Sequence, residues 1–134
     1  MEYSALDLDL SILERRLVRR FGWFPRKARL GVASYKRFLH CCQIARGEGE
    51  RLTPSEAVDE VWHYHVLDTR RYHEDCQRLF GQYLHHTPSD TKSAGGEYAE
   101  NFARFMALYR KEFQEELRDW AWSWKDLVWK SSAI

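Results

Sequence analysis

Five of the six histidines in this 134-residue chain fall between positions 63 and 86, in the company of Asp59, Glu60, Asp68, Asp75 and Cys76. Neutral imidazole, carboxylate and thiolate are the side chains that bind zinc, iron and copper, so chemistry is expected here first. Asp59 and His63 stand four apart, which on a helix places them on one face with Cβ atoms about 6 Å apart. That spacing suits two ligands of one ion, or an ordinary Asp–His hydrogen bond. His65 lies about 200° round from His63 on an ideal helix. It shares a side with Val58, Val61 and Trp62, which directs it into the core, and it joins His63 on one ion only where the helix unwinds.

The string Asp59-Glu60-Val61-Trp62-His63 also has the form of a zinc-protease helix with Asp in place of the first His. In that reading Asp59 and His63 bind zinc and Glu60 is the general base, although no third ligand follows at the usual spacing. His85 and His86 close the cluster. His73 is expected to be exposed. Cys76, on one face with Tyr72, Leu79 and Tyr83, reads as packed rather than ligating. The adjacent Cys41 and Cys42 read as core, since a buried free thiol behaves as a small hydrophobe.

The elements that must position these residues are helical almost throughout, with no alternating strand pattern. Leu6, Leu10, Leu13, Leu17 and Phe21 form the stripe of a first helix, ended by Gly22 and Pro25. Ala28, Val32, Tyr35, Leu39 and Cys42 form the stripe of a second, fading at Gly47-Glu48-Gly49. Thr53-Pro54-Ser55-Glu56 opens the third, with Thr53 as N-cap, Pro54 at the first helical position and Glu56 completing a capping box. Asp68 caps a fourth helix, expected to run to Tyr83 or Leu84, because His86-Thr87-Pro88 cannot continue it.

A fourth helix of about 15 residues climbs roughly 22 Å back along the third. It would carry His85 and His86 toward Glu56 or Asp59 rather than toward His65. Ser89 to Gly96 is expected to be a loop. Phe102, Met106, Tyr109, Phe113, Leu117, Trp120 and Trp124 then mark a last helix from Glu97 to Trp129, bent or broken near Arg118-Asp119-Trp120. The fold expected is an all-α, single-domain bundle of about five helices over residues 1–134, with its motif region at 53–88.

Composition narrows the function classes. Lys+Arg and Asp+Glu number 21 and 20, a net charge of +1 that gives no general pull toward nucleic acid or an anionic membrane. The run Arg15-Arg16-Leu17-Val18-Arg19-Arg20 reads as the solvated side of a helix. No apolar run approaches the roughly 20 residues needed to span a bilayer, and the N-terminus lacks signal-peptide order. Three cysteines make no disulfide framework. A cytoplasmic protein is expected, with neither nucleic acid nor membrane as partner.

The run from Val58 to His86 resembles the bacterial glycine-rich-domain-containing-protein-like family, to which a module of the plant glycine-rich domain proteins is related. Asp59, Trp62, His63, His65, Leu67, Asp68, Tyr72, Asp75 and Cys76 fit its pattern, as do Phe80, Gly81, Leu84, His85, His86 and Pro88. Similarity is looser from Glu97 to Phe113. Glu60 and His73 fall at open positions of the pattern. Ser89-Asp90-Thr91-Lys92-Ser93-Ala94-Gly95-Gly96 stands where the family has an aromatic-glycine-arginine-glycine segment. The resemblance implies a helical domain holding polar motif residues, and no particular reaction.

The expected function is a mononuclear metal site made by Asp59, His63, His65 and one or both of His85 and His86. Asp68, Tyr72, Asp75 and Cys76 would surround and orient these ligands. Iron, copper and zinc all suit such donors. A redox metal, the preferred case, implies a small oxidase or oxygenase, and zinc a hydrolase; either would act on a small-molecule or peptide substrate. The alternative is a non-catalytic interaction module. There the His/Asp/Tyr motif is a structural hydrogen-bond network, and the Trp-rich C-terminus docks a protein partner.

Overall fold

A computed structural model describes residues 3–86 and 96–117. The described residues form five helices packed together, with no strand among them: α1 (Ser11–Arg19), α2 (Pro25–Gly47), α3 (Glu56–Leu67), α4 (Thr69–Phe80) and α5 (Gly96–Phe113). A 3-10 turn at Ala5–Asp7 precedes α1. The stripe expected to begin at Leu6 is therefore divided. Ser4 caps the short turn through the Leu6 N–H, and α1 starts only at Ser11.

α2 is the spine: α1, α3, α5 and the 3-10 turn all pack on it. At 23 residues it is the longest helix, and Pro25 opens it where a missing N–H costs nothing. Its stripe buries Tyr35, Phe38 and Leu39 almost completely. Phe38 meets Trp62 of α3 and Phe105 of α5, each with ring centres 5.1 Å apart. Gln43, buried beside them, ties down the N-terminal turn. Its carbonyl accepts from the Ala5 N–H at 3.0 Å, and its amide donates to the carbonyls of Tyr3 and Leu79 at 2.8 and 3.0 Å.

Three further helix boundaries differ from the sequence expectation. The N-cap of α3 is Ser55, whose hydroxyl accepts from the Val58 N–H, so Thr53 and the buried Pro54 lie before the helix. α4 stops at Phe80 rather than at Tyr83 or Leu84. Gly81 adopts φ +70° there, a left-handed conformation that terminates the helix at little cost for glycine. α5 ends at Phe113, and Gln114 takes φ +53°. The bend expected at 118–120, the loop at 89–95 and the Trp-rich C-terminus lie outside the described residues.

Candidate functional site

α3 and α4 meet at the single residue Asp68, whose backbone serves both helix ends. So tight a joint folds α4 back on α3 and lets residues ten apart face each other. His65 and Asp75 are one such pair, with Nε2 to Oδ2 at 2.8 Å. Trp62 and Tyr72 are another, with the indole N–H donating to the phenol oxygen at 2.9 Å. The Tyr72 hydroxyl in turn donates to the Leu84 carbonyl. That bond anchors the segment after α4 and brings the chain back across α3.

His65 is 3% exposed and is used on both sides. A carboxylate only accepts, so the Asp75 contact assigns the ring proton to Nε2. Nδ1 then accepts from the Tyr35 hydroxyl at 2.6 Å. The order carboxylate, imidazole, hydroxyl is that of a nucleophile relay. Here the hydroxyl belongs to a tyrosine with no exposed surface. Burial pushes the Tyr35 phenol well above its ordinary pKa, and Tyr72 is raised by the same cause. Both act as neutral hydrogen-bonding groups rather than phenolates.

A second His–carboxylate pair stands on the outward side of α3. His86 Nε2 lies 2.8 Å from Asp59 Oδ1, its ring meeting Trp62 edge-on at 4.5 Å. The exposed His63 has its ring centre 6.4 Å from that of His86. The five expected ligands are thus divided. Asp59, His63 and His86 share one corner, whereas His65 points to the opposite side between Tyr35 and Asp75. His85 is exposed, with its ring 4.8 Å from Tyr83. The helical geometry is the cause: no unwinding occurs between His63 and His65, so they stay on separate faces. Among the described residues, no three His, Cys, Asp or Glu side chains are grouped as a metal ion would require.

The surrounding residues are likewise placed. Asp68 caps α4 through its backbone only, and its carboxylate is held by Arg16 at 3.0 Å and Arg71 at 3.3 Å. Cys76 is buried, as are Cys41 and Cys42, and all three thiols are free. Burial raises the pKa of each, that of Cys41 to about 12. In the folded chain they are buried, protonated thiols that pack in the core. Glu60 faces Lys27 at 3.9 Å, and His73 is exposed. Lys27 rests its ammonium 3.9 Å from the Trp23 ring centre, and burial draws its pKa below that of an ordinary lysine.

Three polar participants went unrecognised in the sequence. Tyr35 was legible only as a core position, although a tyrosine on an apolar stripe needs a partner for its hydroxyl. Gln43 carried no signal beyond being a polar residue within an apolar helix. His40, the one histidine outside the cluster, bonds Glu112 of α5 through Nε2 at 3.0 Å, and its Nδ1 is buried without a partner among the described residues.

The chain is similar to Glycine-rich domain-containing protein 1 and Glycine-rich domain-containing protein 2 of Arabidopsis thaliana, at 29% identity to each over 85 residues. Those residues cover 61% of this chain and 10% and 11% of the two plant proteins, so the match spans about a tenth of their length. No solved structure matches the chain significantly. The family model described as UCP032817-like matches residues 11–119, from the start of α1 past the end of α5, and the chain belongs to this UCP032817-like family.

Proposed function

We propose that this chain is a non-catalytic helical module in which the His/Asp/Tyr motif braces the bundle and interaction is left to the surface. The observation that carries the reading is the state of His65. Both its nitrogens are engaged inside the protein, at 2.6 and 2.8 Å, by groups from two other helices. The Trp62–Tyr72–Leu84 chain of hydrogen bonds supports it in the same way. Binding a metal or substrate at His65 would leave a buried partner unpaired, at about 1–3 kcal/mol for each such group.

A second reading is a metal ion at Asp59, His63 and His86, which are the expected ligands that lie near one another on an accessible face. Zinc, iron and copper all accept this donor set. The reading ranks second because Asp59 and His86 are closed on each other by a hydrogen bond.

Elemental analysis of untagged protein, before and after incubation with each metal, separates the two. The bracing reading expects less than about a tenth of an equivalent of any of them. Near-stoichiometric metal that disappears in Asp59→Ala, with the helical signal intact, would overturn it in favour of the second.

A further inference from the structure

The near-neutral total charge conceals a marked asymmetry. Between Glu14 and Glu48 the sequence holds eight arginines and two lysines and no acidic residue, so the remainder of the chain is net acidic. The fold gathers part of this charge at one end of the bundle. Phe21, in the turn between α1 and α2, lies on the Tyr64 ring of α3 with centres 4.3 Å apart, and Arg16 of α1 reaches Asp68 just beyond α3. The last turn of α1, the first turn of α2 and the end of α3 therefore come together.

Three of the six large apolar side chains that the described residues leave exposed are found at this end: Phe21 at 40%, Phe24 at 42% and Leu67 at 59%. Arg19, Arg20 and Arg26 flank the two phenylalanines and are exposed, and none pairs with a described carboxylate. Two acids that contact this region are already engaged, Asp68 by Arg16 and Arg71, and Glu60 by Lys27.

We infer that this end of the bundle is a docking surface for an anionic phospholipid bilayer. Arginines around exposed apolar tips match both layers of a membrane surface. The guanidinium groups meet lipid phosphates while the phenylalanine rings and Leu67 enter the boundary with the acyl chains. Neither signal holds a protein there alone, whereas the two together do. The apolar residues stand on the turn that joins two helices and at the end of a third, not in a trough between helices. Tips so placed suit a flat surface better than the lengthwise groove that receives a peptide helix. Nucleic acid would use the arginines but has no need of an exposed aliphatic residue such as Leu67. None of the described helices is long and apolar enough to cross a membrane, so the contact is peripheral. It involves no residue of the His65 network and stands independently of the bracing role.

Co-sedimentation of the whole chain with extruded vesicles tests this. Binding is expected to phosphatidylcholine vesicles containing about one-third phosphatidylserine, to be absent with phosphatidylcholine alone, and to weaken as salt is raised. Combining Arg19→Ser, Arg20→Ser and Arg26→Ser should cost about a hundredfold in partition, at about fivefold for each arginine. Phe24→Ser, which disturbs no ring contact among the described residues, should cost roughly tenfold or more without lowering the melting temperature, since serine is also the better N-cap at the start of α2. Absence of binding to the anionic vesicles at low salt would overturn the inference. So would equal binding by these variants, or vesicles ignored while a single-stranded oligonucleotide or polyglutamate is bound.

Discussion

His65 is the residue on which the motif turns, because its two hydrogen bonds join three helices at a point that water barely reaches. Tyr35 comes from α2, His65 from α3 and Asp75 from α4. Removing one member leaves a buried donor or acceptor unpaired, and that penalty exceeds the net value of the bond itself. Tyr35→Phe should therefore lower the unfolding free energy by about 1–3 kcal/mol, and His65→Ala by more, since it strands two partners and opens a cavity. In the double variant the losses should fall short of the sum, because the phenol has no imidazole left to lose. Urea titrations of the four proteins measure this. Strict additivity would mean that the Tyr35–His65 contact carries no coupling, and the bracing role would fail with it.

The elements are placed by their ends more than by their interiors. α3 begins where the Ser55 hydroxyl meets the Val58 N–H, and α4 stops because Gly81 turns left-handed. Ser55→Ala should cost about 1 kcal/mol, the ordinary value of a lost N-cap. Gly81→Ala should cost a similar amount, about 1–2 kcal/mol, although a Cβ there meets no atom within 4 Å, because the strain lies in the backbone. It should also loosen the Asp59–His86 contact five residues on. The NMR signals of the His86 ring would then shift in Gly81→Ala and not in Ser55→Ala, and an unmoved ring would mean that Gly81 has no part in aiming it. The helical periods and the identity of five helices were legible in the apolar stripes. The boundaries were not, since Thr53-Pro54-Ser55 offers two competing caps and nothing local decides between them. The return of the segment after α4 toward Asp59 followed from an antiparallel hairpin closed at Asp68. The 3.6-residue period set His63 and His65 on separate faces, yet the expected metal site joined them on one ion, and α3 stays wound between them. Tyr35 could not be foreseen as their partner, because its pairing depends on how α2 lies against α3, a tertiary fact with no local mark.

For the molecule as a whole, the buried thiols and phenols make alkaline pH the sensitive side. Cys41, Cys42, Cys76, Tyr35 and Tyr72 are all raised, with burial as the largest cause in each. An acid held neutral in the core keeps its proton more tightly in the folded chain than in the unfolded one. Its contribution to stability is whole below the unfolded value and drains away as pH climbs toward the folded value. For Cys41 that window runs from an ordinary 9.0 to about 12. Each such group removes on the order of 1.4 kcal/mol per pH unit across its window. Several of them acting together against a domain stability of about 5–15 kcal/mol should unfold the bundle well before pH 12 is reached. The urea midpoint should hold steady near pH 8 and fall steeply above about pH 9.5, less steeply in Cys41→Ala. At pH 8 the native thiols should resist a water-soluble disulfide reagent, and all three should react once urea is added. A midpoint that stays level through pH 10.5, or thiols that react at once in the native protein, would show that the core is not sealed around α2.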